Sequence, residues 1–171
     1  FSIYKQDSTF LNTHLNVNLK YQIKNNANLF VSFDSENSEN NTKTSSNNIS
    51  TYENYFLGFG YEYKILKNDL FRNDLFFVKI NPSFGKRKTI DNAYQQIKIA
   101  TTLTYLLDLN RKNSIYFRNE TGILNSTNYF DNELYRIGGN NSIRGFNEQS
   151  IFVKNYLLQN IEFIYQSSKS S

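Results

Sequence analysis

The stretch LNTHLNVNLKYQI, residues 11–23, decides the fold class, because apolar and polar side chains alternate along its whole length. Its odd positions are apolar or aromatic apart from one threonine, and its even positions carry Asn, His, Lys and Gln. A helix would place Leu15, Val17 and Leu19 on different sides. The period of two therefore predicts a β-strand with one apolar and one polar face.

The same alternation recurs along the chain. The six further runs cover about residues 29–33, 55–65, 76–84, 97–107, 115–123 and 157–165. Short turns at 24–28 and 110–113 alternate roughly with longer connections at 35–48, 85–91 and about 125–150. The last connection is called the motif loop below. This arrangement predicts an all-β, antiparallel, up-and-down sheet that is elaborated at one end.

The length of the runs favours strands that cross a membrane. Several reach about ten to fifteen residues, whereas a tilted membrane strand needs about nine to eleven and a globular strand averages about five or six. The pattern predicts part of a transmembrane β-barrel, with lipid against the apolar face and a wet lumen on the other. A soluble sandwich or lipocalin-like barrel, with its apolar face inward, is the alternative. The chain starts at Phe1 and has no methionine, so we expect an internal piece of a longer protein.

Composition argues against several functional classes. The net charge is +4, but Lys and Arg are scattered, so nucleic-acid binding is not predicted. Cysteine is absent and His14 is the only histidine, which leaves no thiolate or histidine cluster for a metal. No nucleophile–base arrangement or paired carboxylates stand out. We predict no enzyme activity and no cofactor.

The segment RIGGNNSIRGF, residues 136–146, is the least ordinary part of the chain. Adjacent glycines permit positive φ angles, and Ser142 with the two asparagines can satisfy turn amides. The arginine lies between apolar neighbours, which are expected to hold its guanidinium as a fork for a carboxylate. The predicted motif residues are Gly138, Gly139, Ile143, Arg144, Gly145 and Phe146.

This segment resembles the conserved loop of the outer-membrane assembly-factor superfamily, which includes BamA, TamA and two-partner secretion transporters such as FhaC. The resemblance implies that the motif loop is the sixth extracellular loop of a sixteen-stranded barrel. It also implies that Arg144 contacts an acid on the next strand, where Ile161-Glu162-Phe163 fits the family pattern. Strand parity independently places Glu162 on the polar face. A solvated Arg144, or pairing of Glu162 with Arg118 or Lys64, are the alternatives.

The resemblance also carries expectations about domains and function. Residues 1–171 would be part of a C-terminal outer-membrane barrel, with POTRA domains and the remaining strands elsewhere in the protein. The implied function is non-enzymatic insertion or assembly of other proteins in the outer membrane of a Gram-negative bacterium. Lipid, client barrel or secreted proteins, and accessory lipoproteins are the implied partners. A two-partner secretion transporter and a passive porin-like barrel are the alternatives. The abundance of Asn, Lys and Ile is typical of AT-rich genomes such as those of Bacteroidetes.

Overall fold

The computed structural model describes residues 2–6, 10–41, 49–66, 74–140 and 142–167, and almost all regular structure in these ranges is β-strand. The one exception is a single turn of 3-10 helix at Asp131–Glu133. The strands are β1 Ser2–Gln6, β2 Phe10–Lys24, β3 Ala27–Asn40, β4 Tyr52–Leu66, β5 Asp74–Lys88, β6 Ala93–Asp108, β7 Asn113–Ser126, β8 Tyr135–Ile137, β9 Ile151–Val153 and β10 Asn155–Tyr165. The prediction of an all-β chain is confirmed.

Eight strands form one antiparallel sheet in the order β1-β2-β3-β4-β5-β6-β7-β10, and β8 pairs with β9 in a separate hairpin. From β1 to β7 each strand therefore hydrogen-bonds to its neighbours along the chain, as an up-and-down arrangement requires, and β10 follows β7 in the sheet after the β8–β9 hairpin. All seven predicted runs became long strands, from 11 residues in β10 to 16 in β6. Three short strands, β1, β8 and β9, were not predicted from the alternation.

Three predicted connections are shorter than the sequence suggested. Strand β3 continues through Asn40, so the interpretation of residues 35–40 as loop is wrong; Ser35 pairs with Leu15, and Ser38 with Asn12. Strand β5 likewise runs to Lys88, and β7 runs to Ser126. Hydrogen bonds to neighbouring strands outweigh the low strand propensity of Ser and Asn at these positions. Most of the remaining predicted loop, residues 42–48, lies outside the described residues.

The two faces of the sheet differ in exposure as the alternation predicted. Large apolar side chains of one face are exposed; for example, Leu19 is 72% exposed and Leu157 is 68% exposed. The opposite face, called the polar face below, has buried polar side chains from several strands. These include Asn12, Ser32, Ser38, Asn54, Ser83, Arg87, Gln96, Thr104 and Ser114. Burial therefore lies on the polar face, the reverse of a sheet that packs its apolar side into a water-soluble core.

Aromatic rings on the polar face lie directly over glycines of neighbouring strands. A Cβ at Gly60 would overlap the ring of Phe30, and a Cβ at Gly122 would overlap that of Tyr156. Glycine at these strand positions leaves room for the rings, which cover the backbone in place of a side chain. Tyr156 in turn contacts Tyr135, with ring centroids 5.2 Å apart at an interplanar angle of 83°. Strand β10 and the motif loop are thereby joined.

The connections fall into two groups at opposite ends of the sheet. Residues 25–26, 67–73 and 109–112 connect strands at one end, which we call the turn end. Residues 41–51, 89–92 and 127–154 connect them at the other, which we call the loop end. The motif loop therefore emerges at the loop end, as does the connection between β5 and β6.

Candidate functional site

The first part of the motif loop returns over the polar face and contacts distant strands. Asn132, which is fully buried, donates from Nδ2 to Ser38 Oγ at 2.6 Å and to the Ser50 carbonyl at 2.7 Å. Its own carbonyl accepts from Asn12 Nδ2 at 2.9 Å and from the Tyr52 hydroxyl at 3.0 Å. The loop thus leaves β7 and reaches β2, β3 and β4 on the far side of the sheet.

A buried ion pair lies next to these hydrogen bonds. Arg87 Nη1 is 2.6 Å from Glu133 Oε2, and the two side chains are 0% and 1% exposed. The same carboxylate oxygen accepts from Gln96 Nε2 at 3.3 Å, and Oε1 accepts from the Phe130 amide at 3.3 Å. Arg87 Nη1 also donates to the Asn128 carbonyl at 3.1 Å. Both oxygens of the carboxylate therefore have donors, which a buried charge requires.

Aromatic rings enclose the buried cation. The Arg87 guanidinium carbon lies 4.3 Å from the centroid of the Phe130 ring and 5.1 Å from that of Tyr94. Phe130 is in turn stacked on Tyr52, with centroids 6.3 Å apart at 16°. Cation–π contacts gain strength when water is excluded. We call residues 128–136, which carry these contacts, the anchor segment.

The sequence reasoning missed this pair. Arg87 lay just beyond the predicted end of its strand, and Glu133 lay in a loop without periodicity, so no local spacing joined them. A weak signal was available for Arg87, because it is in phase with Lys79, Asn81 and Ser83 on the polar face of β5. For Glu133 we find no sequence signal that would have identified its partner.

The end of the anchor segment packs between two parts of the chain. The Arg136 guanidinium carbon lies 4.9 Å from the centroid of the Phe10 ring and 5.8 Å from that of Phe152, and Nη2 donates to the Asn132 carbonyl at 3.3 Å. Burial raises the pKa of Tyr135, whose hydroxyl donates to the Ile123 carbonyl at 3.3 Å. That hydroxyl therefore stays protonated at neutral pH.

The second part of the motif loop, residues 138–150, is called the tip segment, and it turns sharply at its glycines. Gly138, Gly139 and Gly145 have φ angles of +121°, +92° and +91°, so the predicted positive-φ conformation is confirmed at the adjacent pair. The Ser142 hydroxyl accepts from the Gly138 amide at 2.7 Å, which confirms its predicted role in the turn. Glu148 Oε1 accepts from the Asn140 amide at 3.1 Å. Asn141, the other predicted turn residue, lies outside the described residues.

The structure brings Arg144 and Glu162 together. Arg144 Nη2 lies 3.4 Å from Glu162 Oε1, with side chains 76% and 33% exposed. The expectation that apolar neighbours hold the guanidinium is wrong, because most of Arg144 lies in the open and Phe146 is itself 55% exposed. Of the alternative partners, Arg118 pairs with Glu120 and also interacts electrostatically with Glu162, whereas Lys64 pairs with Asp74 at 2.8 Å.

A cleft of about 570 Å³ separates the tip segment from strands β7 and β10. Its lining is mainly polar and includes Arg118, Asn140, Ser142, Arg144, Asn160 and Glu162. The pair of Arg144 and Glu162 thus lines an open space and does not lie in a closed interface. An ion pair in such a place is accessible to solvent and to other molecules.

Comparison with known proteins adds no identification. No protein-family model matches the chain, and no curated protein matches it. Within the part of the chain that the structure describes, no helix has the length and hydrophobicity to cross a membrane. Those same residues contain no group of three or more His, Cys, Asp or Glu side chains placed to hold a metal ion. The candidate site is therefore defined by its geometry: a loop anchored over a polar face, with one exposed ion pair at its tip.

Proposed function

We propose that this chain is part of an outer-membrane β-barrel protein that assembles or inserts other proteins into the membrane. The supporting surface is the apolar face, where side chains such as Leu19, Phe59 and Phe163 are more than half exposed. Exposed apolar side chains on strands of 11 to 16 residues suit a lipid environment, which needs about nine to eleven residues per crossing. The surrounding lipid would be the first partner of the protein.

The observation that carries the proposal is the position of the motif loop. The residues that resemble the family motif lie on the polar face, and their arginine faces Glu162 on the following strand, as the family resemblance implies. In a closed barrel the polar face would be the lumen wall, and the motif loop would enter the lumen from the loop end. The loop end would then be extracellular.

The proposed mechanism involves strand pairing and no bond chemistry. An unpaired strand edge offers a row of amide and carbonyl groups to any extended segment that approaches it. A client strand would add to such an edge where the barrel seam opens, and the motif loop would brace the wall beside it. Client barrel proteins, with accessory lipoproteins, would be the protein partners. The chain's own contribution would be a stable wall and a correctly placed loop.

The proposal is tested by depleting the full-length protein from its host and measuring the outer-membrane proteome quantitatively. A joint decline of many unrelated β-barrel proteins is the expected result. Loss of one secreted protein alone would instead identify a dedicated two-partner transporter. A change confined to uptake of small solutes would identify a porin, and either of these results would overturn the proposal.

A matched variant connects the test to the site. Cells that depend on the Arg144→Ala protein should assemble fewer outer-membrane barrels than cells that carry Lys20→Ala. Lys20 pairs with Glu62 at 3.0 Å on the polar face, outside the contacts of the motif loop, and is the control for loss of an exposed cation. Equal barrel levels in the two strains would remove Arg144 from the proposed function.

A further inference from the structure

We infer that Glu133, through its buried pair with Arg87, is the residue that positions the motif loop, and that the contact between Arg144 and Glu162 depends on this anchor. The anchor segment would then hold the loop in place, and Arg144, which is exposed at the cleft, would serve assembly there without holding the loop. This assignment reverses the order of importance that the motif alone suggests.

The pair of Arg87 and Glu133 differs from the pair of Arg144 and Glu162 in length and in solvent exposure, and both properties affect the strength of an ion pair. The pair of Arg87 and Glu133 has a short distance of 2.6 Å and side chains almost without solvent exposure. The pair of Arg144 and Glu162 is 3.4 Å long, and its arginine is 76% exposed. Solvent screens the second pair but hardly reaches the first. Removal of Glu133 would also leave a buried guanidinium without its carboxylate, which is far more costly than losing an exposed contact.

The contacts of Glu133 fix its orientation as well as its charge. Gln96 on β6 and the Phe130 amide each donate to the carboxylate, so it is held from the wall and from its own turn. The preceding residue, Asn132, bridges Ser38 and the Ser50 carbonyl. These two consecutive residues thereby connect the anchor segment to strands β3, β5 and β6 and to the connection before β4.

The position of the anchor segment is transmitted to the tip segment through a short hairpin. Strand β8 begins two residues after Glu133, and it pairs with β9 in the register Tyr135 with Val153 and Ile137 with Ile151. The tip segment lies between these two strands. Arg144 therefore reaches Glu162 from a hairpin whose base is set by the anchor segment. If the anchor were released, the hairpin would lose its fixed base and would be left with the contacts of Tyr135 and Arg136 and with the exposed pair.

A spin-label distance measurement on the full-length protein tests this inference. Residues 1–171 contain no cysteine, so labels at Asn147→Cys in the tip segment and Arg111→Cys at the turn end are unique within them, and any cysteine elsewhere in the full-length protein is first replaced by serine. We expect one narrow distance in the wild type and in Arg144→Ala. We expect loss of that narrow distance in Glu133→Gln, which keeps the side-chain shape but removes the charge.

A second label pair separates release of the loop from loss of the fold. Labels at Asn26→Cys and Arg111→Cys both lie at the turn end and report on the sheet alone. Their distance should be the same in every variant, including Glu62→Gln, which removes the partner of Lys20 on the same face, outside the contacts of the motif loop, and is the matched control. A narrow tip distance in Glu133→Gln, or its loss in Arg144→Ala with the sheet distance unchanged, would overturn the inference.

A milder variant covers the case in which Glu133→Gln does not fold. Glu133→Asp keeps the negative charge near Arg87 but withdraws the carboxylate by one methylene group from Arg87, Gln96 and the Phe130 amide. It should broaden the tip distance without altering the sheet distance. If the tip distance stays as narrow as in the wild type, the position of the tip segment does not depend on the contacts of the Glu133 carboxylate, and the inference is rejected.

The inference that Glu133 positions the loop does not require the proposed function. The importance of that position for barrel assembly, however, rests on the proposed function. Barrel assembly in cells measured beside the distances distinguishes the two. Loss of the narrow tip distance in Glu133→Gln together with normal barrel assembly would support the anchoring role of Glu133 and would count against the proposed role of the loop in assembly. A fixed tip in Glu133→Gln with impaired assembly would reject the anchor and leave the proposed function standing.

Discussion

Asn132 and Ser38 are 94 residues apart in the chain, yet the amide of the first donates to the hydroxyl of the second at 2.6 Å. Both residues are buried, and neither lies in residues 136–146, the segment that resembles the family motif. This hydrogen bond connects the motif loop to β3 across the sheet. The stability of the loop therefore depends on contacts outside the family-like motif.

The first prediction concerns this amide. Asn132→Ala removes the donors to Ser38 and to the Ser50 carbonyl, and the partners left behind are buried. Stability should fall by about 1–3 kcal/mol for unsatisfied buried groups. Urea unfolding in detergent, followed by circular dichroism because the chain has no tryptophan, gives the value. Asn16→Ala, at an exposed asparagine of β2, is the control and should change stability by less than about 0.5 kcal/mol. Equal losses in the two variants would contradict the assignment.

The second prediction compares the two ion pairs of the loop. Glu133→Gln leaves Arg87 buried without its carboxylate and should lower stability by about 3–5 kcal/mol. Arg144→Ala removes an exposed contact and should lower it by less than about 1 kcal/mol. Heat-modifiability on gels and urea unfolding both report the difference. A larger loss for Arg144→Ala than for Glu133→Gln would show that the exposed pair holds the loop.

The third prediction concerns the turn at the start of the tip segment. Gly139 has a φ of +92°, and a Cβ there would overlap the carboxylate of Glu148. Gly145 has a nearly equal φ of +91° with nothing within 4 Å of the added atom. Gly145→Ala should therefore cost only the backbone conformation, about 1–2 kcal/mol, and Gly139→Ala should cost more. Unfolding midpoints of the two variants measure the difference. Identical midpoints would mean that Glu148 moves aside freely.

The fourth prediction tests whether lipid covers the apolar face. Val17 lies near the middle of β2 and is 46% exposed on that face. An arginine at the centre of a bilayer costs a barrel about 2–4 kcal/mol, so Val17→Arg should be destabilising in lipid vesicles. Leu109→Arg, at a 53% exposed site in a turn, should have almost no effect. Urea unfolding in vesicles compares them, and equal stability of the two variants would place the apolar face outside the hydrocarbon.

The strands of this chain could be predicted because their determinants are local. The alternation in residues 11–23 predicts both the strand and which of its faces is apolar, and the same holds for the other six long strands. Parity also placed Glu162 correctly on the polar face. Prediction failed at residues 35–40, where Ser, Glu and Asn occupy both faces and no contrast marks a strand. Pairing with β2 and β4 determines the conformation there.

The motif loop shows the opposite balance between local and distant determinants. Its adjacent glycines predicted positive φ angles, because glycine at a single position is enough to permit that conformation. The pairing of Arg87 with Glu133, and of Asn132 with Ser38, joins positions that no periodicity or spacing relates. Such pairs form because the folded sheet brings buried polar groups together. Each buried charge then requires an opposite charge, and each buried polar group requires a hydrogen-bond partner. The local pattern of residues determined the strands and their faces, whereas packing across the sheet decided what anchors the loop and how far Arg144 is exposed.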